Sequence, residues 1–287
     1  MNRREILKWS VLASASAFLP NLPELRSHCA AQAVKPAAEG TPCKVGIWNS
    51  DFDRAKALGL DCLQISLPLR PTGGMNDFRN PEARAKALAK SAETGIEITS
   101  LAMGEFNGNP FWQIDDAVEQ VSSCIDVMAA MKVRYVLISY FGKGKVDTDE
   151  KYAETIRRFR ELAPKAEDAG VVLTIEAPMK FNEHLRLIEG IDSPAVRIFY
   201  DPGNMIHLYQ NTEQICDDIL KLKGLIAAAH AKDSSILGKG RIDYSKIFKA
   251  YHEAGYFGSQ VIEGSTDKNL GWEESMRQNA AYLRTLR

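Results

Sequence analysis

Short apolar runs alternate with longer amphipathic stretches from residue 44 onward. The runs at 44–48, 62–67, 96–103 and 133–140 read as strands, as do those at 171–176, 196–201, 225–230 and 260–263. Several are near-continuous in Val, Ile and Leu rather than alternating with polar residues, the mark of strands covered on both faces. Helical periodicity separates them over 53–58, 81–93, 114–131 and 149–169, and then over about 183–190, 212–222, 243–254 and 272–286. Pro81 falls in a first helical turn, and Gly59, Gly95 and Gly170 stand where helices stop. The segments 68–75 and 104–110 are loop-like in composition, and the second could serve as a lid.

Eight strand–helix units in a row predict an α/β fold, a (β/α)8 TIM barrel over 44–287. An open doubly wound sheet is the rival. It would carry a glycine-rich phosphate turn after the first strand, and Gly46-Ile47-Trp48-Asn49 is not one.

Residues 1–33 do not belong to this pattern. Asn2-Arg3-Arg4-Glu5-Ile6-Leu7-Lys8 precedes a small-residue apolar stretch from Trp9 to Leu19, which resembles a twin-arginine-type export signal. Export to the periplasm or another extracytoplasmic space is therefore expected, with a small-x-small cleavage site at Ala31-Gln32-Ala33 and a linker over 34–43. The apolar stretch is short for a bilayer, so no lasting membrane anchor is expected.

Composition narrows the partners. A net charge of −1, with 36 Lys and Arg against 37 Asp and Glu and no dense basic run, gives no footing for nucleic acid. Of the cysteines beyond the signal, Cys62 and Cys124 sit in apolar settings and read as buried free thiols.

The chemistry gathers at strand ends. Glu176, Asp201, His230 and Glu263 each close an apolar run, 25 to 33 residues apart, and a barrel brings such ends to one rim. Singly, each carboxylate could be a helix cap or loop charge, and the histidine a hydrogen-bonded, half-buried ring. Jointly they suggest one site for a divalent metal ion, and carboxylates with one imidazole suit Mn²⁺, Mg²⁺, Co²⁺ or Zn²⁺ without choosing among them.

Five stretches carry a family resemblance: Thr174-Ile175-Glu176-Ala177-Pro178, Tyr200-Asp201-Pro202-Gly203-Asn204, His230-Ala231-Lys232-Asp233, Gly238-Lys239-Gly240-Arg241-Ile242-Asp243-Tyr244 and the segment from Gly255 to Glu263. In order and spacing the chain resembles the xylose isomerase-like barrel superfamily, especially its sugar-phosphate isomerase/epimerase branch, which includes tagatose 3-epimerase and hydroxypyruvate isomerase. That resemblance implies that Glu176, Asp201, His230 and Glu263 bind the metal, and that Glu176 and Glu263 also form an acid–base pair on opposite faces of a substrate. The ion would hold a ketose carbonyl and its neighbouring hydroxyl and stabilise the enediolate. Proton return from the other face would epimerise; return to the neighbouring carbon would isomerise.

One position departs from the family. Where many epimerases have a substrate-contacting histidine, this chain has Asn204, which can hydrogen-bond a sugar but cannot carry a proton. His207, three residues on, could substitute for that histidine but reads better as a helix-surface residue, as do His184 and His252. Lys232 and Arg241 follow the seventh strand and could bind a phosphate or carboxylate or be solvated loop charges. Glu105, Trp112 and Trp48 could shape a sugar site, with core packing the alternative for the tryptophans.

The expectation is a divalent-metal-dependent sugar isomerase or epimerase with a small keto-sugar substrate. The alternatives are a metal-dependent 3-keto-glycoside lyase or hydrolase on the same barrel and a non-catalytic sugar-binding barrel; a homo-oligomer is left open. A DNA-repair nuclease of the same superfamily would need more histidines and the opposite charge.

Overall fold

The protein is described by a computed structural model over residues 43–286, so the export signal read at 1–33 and the linker read at 34–43, up to residue 42, lie outside the described residues. The apolar runs form strands β1 (Val45–Trp48), β2 (Cys62–Ser66), β3 (Glu97–Met103), β4 (Tyr135–Ser139), β5 (Val172–Glu176), β6 (Val196–Tyr200), β7 (Ile226–Ala231) and β8 (Gln260–Ile262). Neighbours pair in parallel in chain order. β8 returns to β1 through Val45↔Gln260, Gly46↔Val261 and Ile47↔Ile262, which closes the barrel.

Around the ring stand α1 (Phe52–Ala57), α2 (Pro81–Thr94), α3 (Ala117–Met131), α4 (Asp149–Asp168), α5 (Phe181–Ile191), α6 (Pro202–Tyr209), α7 (Thr212–Lys221), α8 (Tyr244–Glu253) and α9 (Gly271–Thr285). Local chemistry sets their ends. Asn80 accepts from the Glu82 amide at 3.0 Å, Pro81 occupies the first turn, and Gly95 stops α2 at φ +77°.

Helix α6 is short, and only the helix-surface reading of His207 anticipates it. Pro202 sits at the first position, where its missing N–H costs nothing, and Asp201 caps the helix. The predicted loop at 104–110 opens with a short 3₁₀ turn over Gly104–Asn107.

Strand pleating divides the core in two. Leu101, Val136, Ile138, Leu173, Ile175 and Ile198 belong to the large apolar cluster shared with the helices. Ala102, Leu137, Phe199 and Ala228 form a separate layer, the filling of the barrel. The inner parity continues two residues at a time from Thr174 to Glu176, from Phe199 to Asp201 and from Ala228 to His230. Strand register alone therefore aims these groups into the mouth.

Two irregularities matter for the site. The β2–β3 register shifts between Leu63 and Gln64, a local change of the kind that re-aims a side chain, and Gln64 is fully buried. A Cβ on Gly46 would lie 2.6 Å from Cys62 Sγ, so glycine lets β1 and β2 close up. Cys43, Cys62, Cys124 and Cys216 are free, with Cys62 and Cys124 buried as their apolar settings suggested. Among the described residues, no helix is long and apolar enough to cross a membrane.

One surface assignment fails. His184 is 2% exposed, because it opens the buried stripe His184, Leu187, Ile188 and Ile191 of α5. Neither ring nitrogen has a hydrogen-bond partner, and burial lowers its pKa to about 4. A folded-state pKa below the unfolded value means that stability is intact above about pH 6.5 and is lost as pH falls towards 4. Urea melts should therefore show wild type losing about 2 kcal/mol more than His184→Leu between pH 7 and pH 5. Equal losses would remove the histidine as the cause. His207 is exposed on α6, and His252 is half-buried against Phe257 with ring centroids 4.9 Å apart.

Candidate metal centre

Four strand ends converge at the mouth. Glu176 is the last residue of β5, Asp201 follows β6, His230 lies within β7 and Glu263 follows β8. Each offers one ligand atom, and all four atoms lie within 4.8 Å of one another. His230 Nδ1 is 3.2 Å from Glu176 Oε1, 3.4 Å from Glu263 Oε2 and 3.9 Å from Asp201 Oδ2. Glu176, Asp201 and His230 are buried and Glu263 is half-buried.

The capping and ligand readings of Asp201 turn out to be compatible, one oxygen for each. Oδ1 accepts from the Gly203 amide at 2.7 Å and the Asn204 amide at 3.3 Å. Oδ2 faces the cluster and is buried without a hydrogen-bond partner. The start of α6 reaches this close because residue 203 is glycine: a Cβ there would stand 2.6 Å from the Lys232 carbonyl oxygen.

Gln64 holds the imidazole from behind. Its Oε1 is 2.7 Å from His230 Nε2, and the Phe199 ring packs tilted against the imidazole at 4.5 Å between centroids. Gln64 Oε1 accepts from Nε2–H, which leaves Nδ1 facing the carboxylates: protonated, it donates to Glu176, and deprotonated, it would offer its lone pair to a cation. An orphaned carboxylate oxygen, a correctly turned imidazole and two further carboxylates fit a divalent cation.

The electrostatics are those of crowded anions. Burial pushes the Asp201 carboxyl up to about 7; His230 and Lys232 pull it down, while Glu176 and Glu263 add to the rise. Burial alone would lower the His230 pKa, but the hydrogen bond and charge of Glu176, then Glu263 and Asp201, hold it above the ordinary value. Glu263 is held below its ordinary value, since His230 and Lys232 outweigh the effect of burial.

Lys232 belongs to the site. Its Nζ lies 2.9 Å from Glu263 Oε2, 3.8 Å from Asp201 Oδ2 and 3.4 Å from Asn204 Oδ1. The Tyr244 hydroxyl pins its backbone, accepting from the Lys232 amide at 2.6 Å and donating to the Lys232 carbonyl at 2.8 Å. Asn204 completes the link by donating to Glu176 Oε1 at 3.1 Å. A polar chain thus joins Glu176, Asn204, Lys232 and Glu263.

The remaining sequence candidates divide. Glu105 lines the cavity, and its Oε1 accepts from the Leu69 amide at 3.1 Å. Trp112 and Arg241 are absent from the cavity wall. The Trp112 indole donates to the Gly144 carbonyl at 3.2 Å, with the Lys151 ammonium 4.7 Å from the ring centroid. Arg241 is exposed, and its amide donates to Asp233, whose carboxylate gathers the loop between β7 and α8.

A closed parallel barrel with four potential ligands at its C-terminal rim defines a class, and the comparison with known proteins agrees. The chain belongs to the xylose isomerase-like TIM barrel family, whose model matches residues 52–286. Among curated relatives, the L-ribulose-5-phosphate 3-epimerase of Salmonella typhi is 21% identical over 254 residues, covering 82% of this chain and 86% of that protein. Among solved structures, a D-psicose 3-epimerase crystallised with D-fructose superposes with a TM-score of 0.69 at 16% identity, over 85% of this chain and 99% of that one. A xylose isomerase-like TIM barrel protein from Mycobacterium smegmatis in complex with magnesium gives 0.65 at 18%, over 82% and 86%. At these identities the structural likeness speaks for the fold.

Proposed function

We propose that the protein is a divalent-metal-dependent isomerase or epimerase of a keto-sugar, working by removal of the proton next to the carbonyl. The observation that carries this reading is the approach of four ligand atoms from four strands to within 4.8 Å, with a glutamate on each side of His230. The epimerase relatives support it. A cation held by Glu176, Asp201, His230 and Glu263 would draw electron density from a substrate carbonyl and so acidify the adjacent C–H.

The chain's own groups do the rest. Glu176 and Glu263 stand three strands apart on the rim, so they reach a sugar carbon from different sides, one taking the proton and the other able to return one. Lys232 presents an ammonium to oxygen atoms gaining negative charge. Asn204 offers an amide to a sugar hydroxyl and ties Glu176 in place. Glu105 and Asn107 add polar groups to the wall. The export signal read at 1–33 would place this activity outside the cytoplasm, which favours free sugars over sugar phosphates.

The test is deuterium wash-in. Protein supplied in turn with Mn²⁺, Mg²⁺, Co²⁺ or Zn²⁺ is incubated with ketoses in D₂O, and the carbon-bound positions are read by NMR. Exchange that EDTA abolishes and metal restores is expected. Absence of exchange with every ketose and every metal would sink the proposal.

A further inference from the structure

The cavity over the barrel mouth has a volume of about 990 Å³ and extends well past the carboxylate cluster. Drug-sized ligands occupy pockets of ~300–1,000 Å³, so a single sugar ring leaves most of this space unfilled. The chemistry of its wall changes along its length. One end is the charged cluster with Lys232 and Asn204. Away from it Trp48, Phe52, Met75, Phe78, Ala83 and Ala87 supply an apolar strip, interspersed with polar groups such as Asn76, Lys86 and Lys90.

Several features show that this second part is open to a ligand. Ala83 and Ala87 lie one turn apart on α2, and their small side chains keep the wall recessed. Of the six large apolar side chains exposed among the described residues, Trp48 at 39% and Met75 at 44% both stand on this wall. The chain turns sharply after Trp48, where Asn49 takes φ +54° and its amide donates to the Gln64 carbonyl at 2.9 Å. Asparagine adopts this left-handed backbone more readily than other side-chain-bearing residues. Here it sits where β1 hands an indole to the cavity, on the same β2 residue that holds His230. An indole face in contact with water matches the C–H face of a sugar ring, which offers apolar area without a charged partner.

We propose that the apolar wall is a second subsite of the same active centre, and that the substrate is a two-ring keto-sugar. The ring bearing the ketone lies at the carboxylate cluster and the second ring lies against Trp48. This rests on the keto-sugar reading above and extends it to substrate size.

Isothermal titration of the Mn²⁺-supplied protein compares D-fructose with lactulose and palatinose, which are fructose bearing a second hexose at different hydroxyls. Deuterium wash-in is run on the same samples. At least one disaccharide should bind about tenfold tighter than D-fructose, and Trp48→Ala should bring that ratio to within twofold. Met75→Glu, which puts a charge on the exposed part of the wall, should shrink the ratio as well, with an unchanged thermal melt showing that the fold is intact. Equal affinity for one and two rings, or a ratio that neither substitution alters, overturns the subsite. Exchange with D-fructose in that case leaves the keto-sugar chemistry standing. A disaccharide preference without exchange here, or with any other ketose and metal, upholds the subsite and discards the chemistry.

Discussion

Glu176→Gln and Glu263→Gln should each cut net conversion of a responsive ketose by about 10²–10⁴-fold, while only one of the two abolishes deuterium wash-in from a given epimer. The asymmetry follows from geometry. On the proposed mechanism, two glutamates approaching a carbon from different sides would divide the labour, one removing the proton of a given stereoisomer and the other delivering the proton that inverts it. Glutamine keeps the size of the side chain and an acceptor oxygen, so the Asn204 and His230 contacts of Glu176 at 3.1 and 3.2 Å have a replacement. The same holds for the Lys232 contact of Glu263 at 2.9 Å. What glutamine cannot do is carry the proton. NMR of the ketose in D₂O reads wash-in and inversion together. Exchange without inversion in one variant and neither in the other assigns the two faces. Both variants keeping more than about a tenth of the wild-type rate would rule the glutamates out as the acid–base pair.

Asp201→Asn should raise the stability of the metal-free protein by about 1–3 kcal/mol while weakening metal binding by about 10–100-fold. The reason is the division of labour between the two oxygens. Oδ1 caps α6, which asparagine does equally well. Oδ2 is buried beside Glu176 and Glu263, and burial raises the carboxyl from 3.8 to about 7. A folded-state pKa above the unfolded one contributes stability that is fully present below about pH 3.8 and is lost as pH rises through 7. Ionised Asp201 therefore weighs on the metal-free fold at pH 7.5, and the amide relieves it by donating to its acidic neighbours. Urea melts at pH 7.5 with EDTA and with Mn²⁺ measure both effects, since a ligand stabilises by RT ln(1 + [L]/Kd). A variant less stable in EDTA, with an undiminished Mn²⁺ shift, would refute the account. The sign is opposite to that at His184, so wild type at acid pH is pulled two ways and the substitutions separate them.

Much of this molecule was legible in its sequence, and the reason is periodicity. Near-continuous apolar runs at strand-plus-helix spacing leave few arrangements other than a barrel, and the inner parity of β5, β6 and β7 then fixes where Glu176, Asp201 and His230 point. Gln64 was not legible. In Cys62-Leu63-Gln64-Ile65 it reads as a stray polar residue, and only barrel closure sets it against His230, 166 positions away. His184 was misread because its polar type outweighed its place on the stripe with Leu187, Ile188 and Ile191. Trp112 and Arg241 follow strands β3 and β7, a placement that by spacing alone brings them to the mouth. Loop conformation, which spacing does not encode, turned the indole to Gly144 and the guanidinium to solvent.

Strand β8 runs only from Gln260 to Ile262, yet it is the seam of the ring, paired on one side with β7 and on the other with β1. Were it to lift, the barrel would gain two raw edges at once, each a row of unpaired N–H and C=O groups of the kind that recruits strands from other molecules. Glu263 would leave with it, because its amide extends the seam to the Ala231 carbonyl at 3.2 Å. A cation holding the Glu263 carboxylate to Glu176, Asp201 and His230 would therefore stitch the ring at its shortest strand. Occupancy of the centre and protection against self-association would then be one property of the molecule.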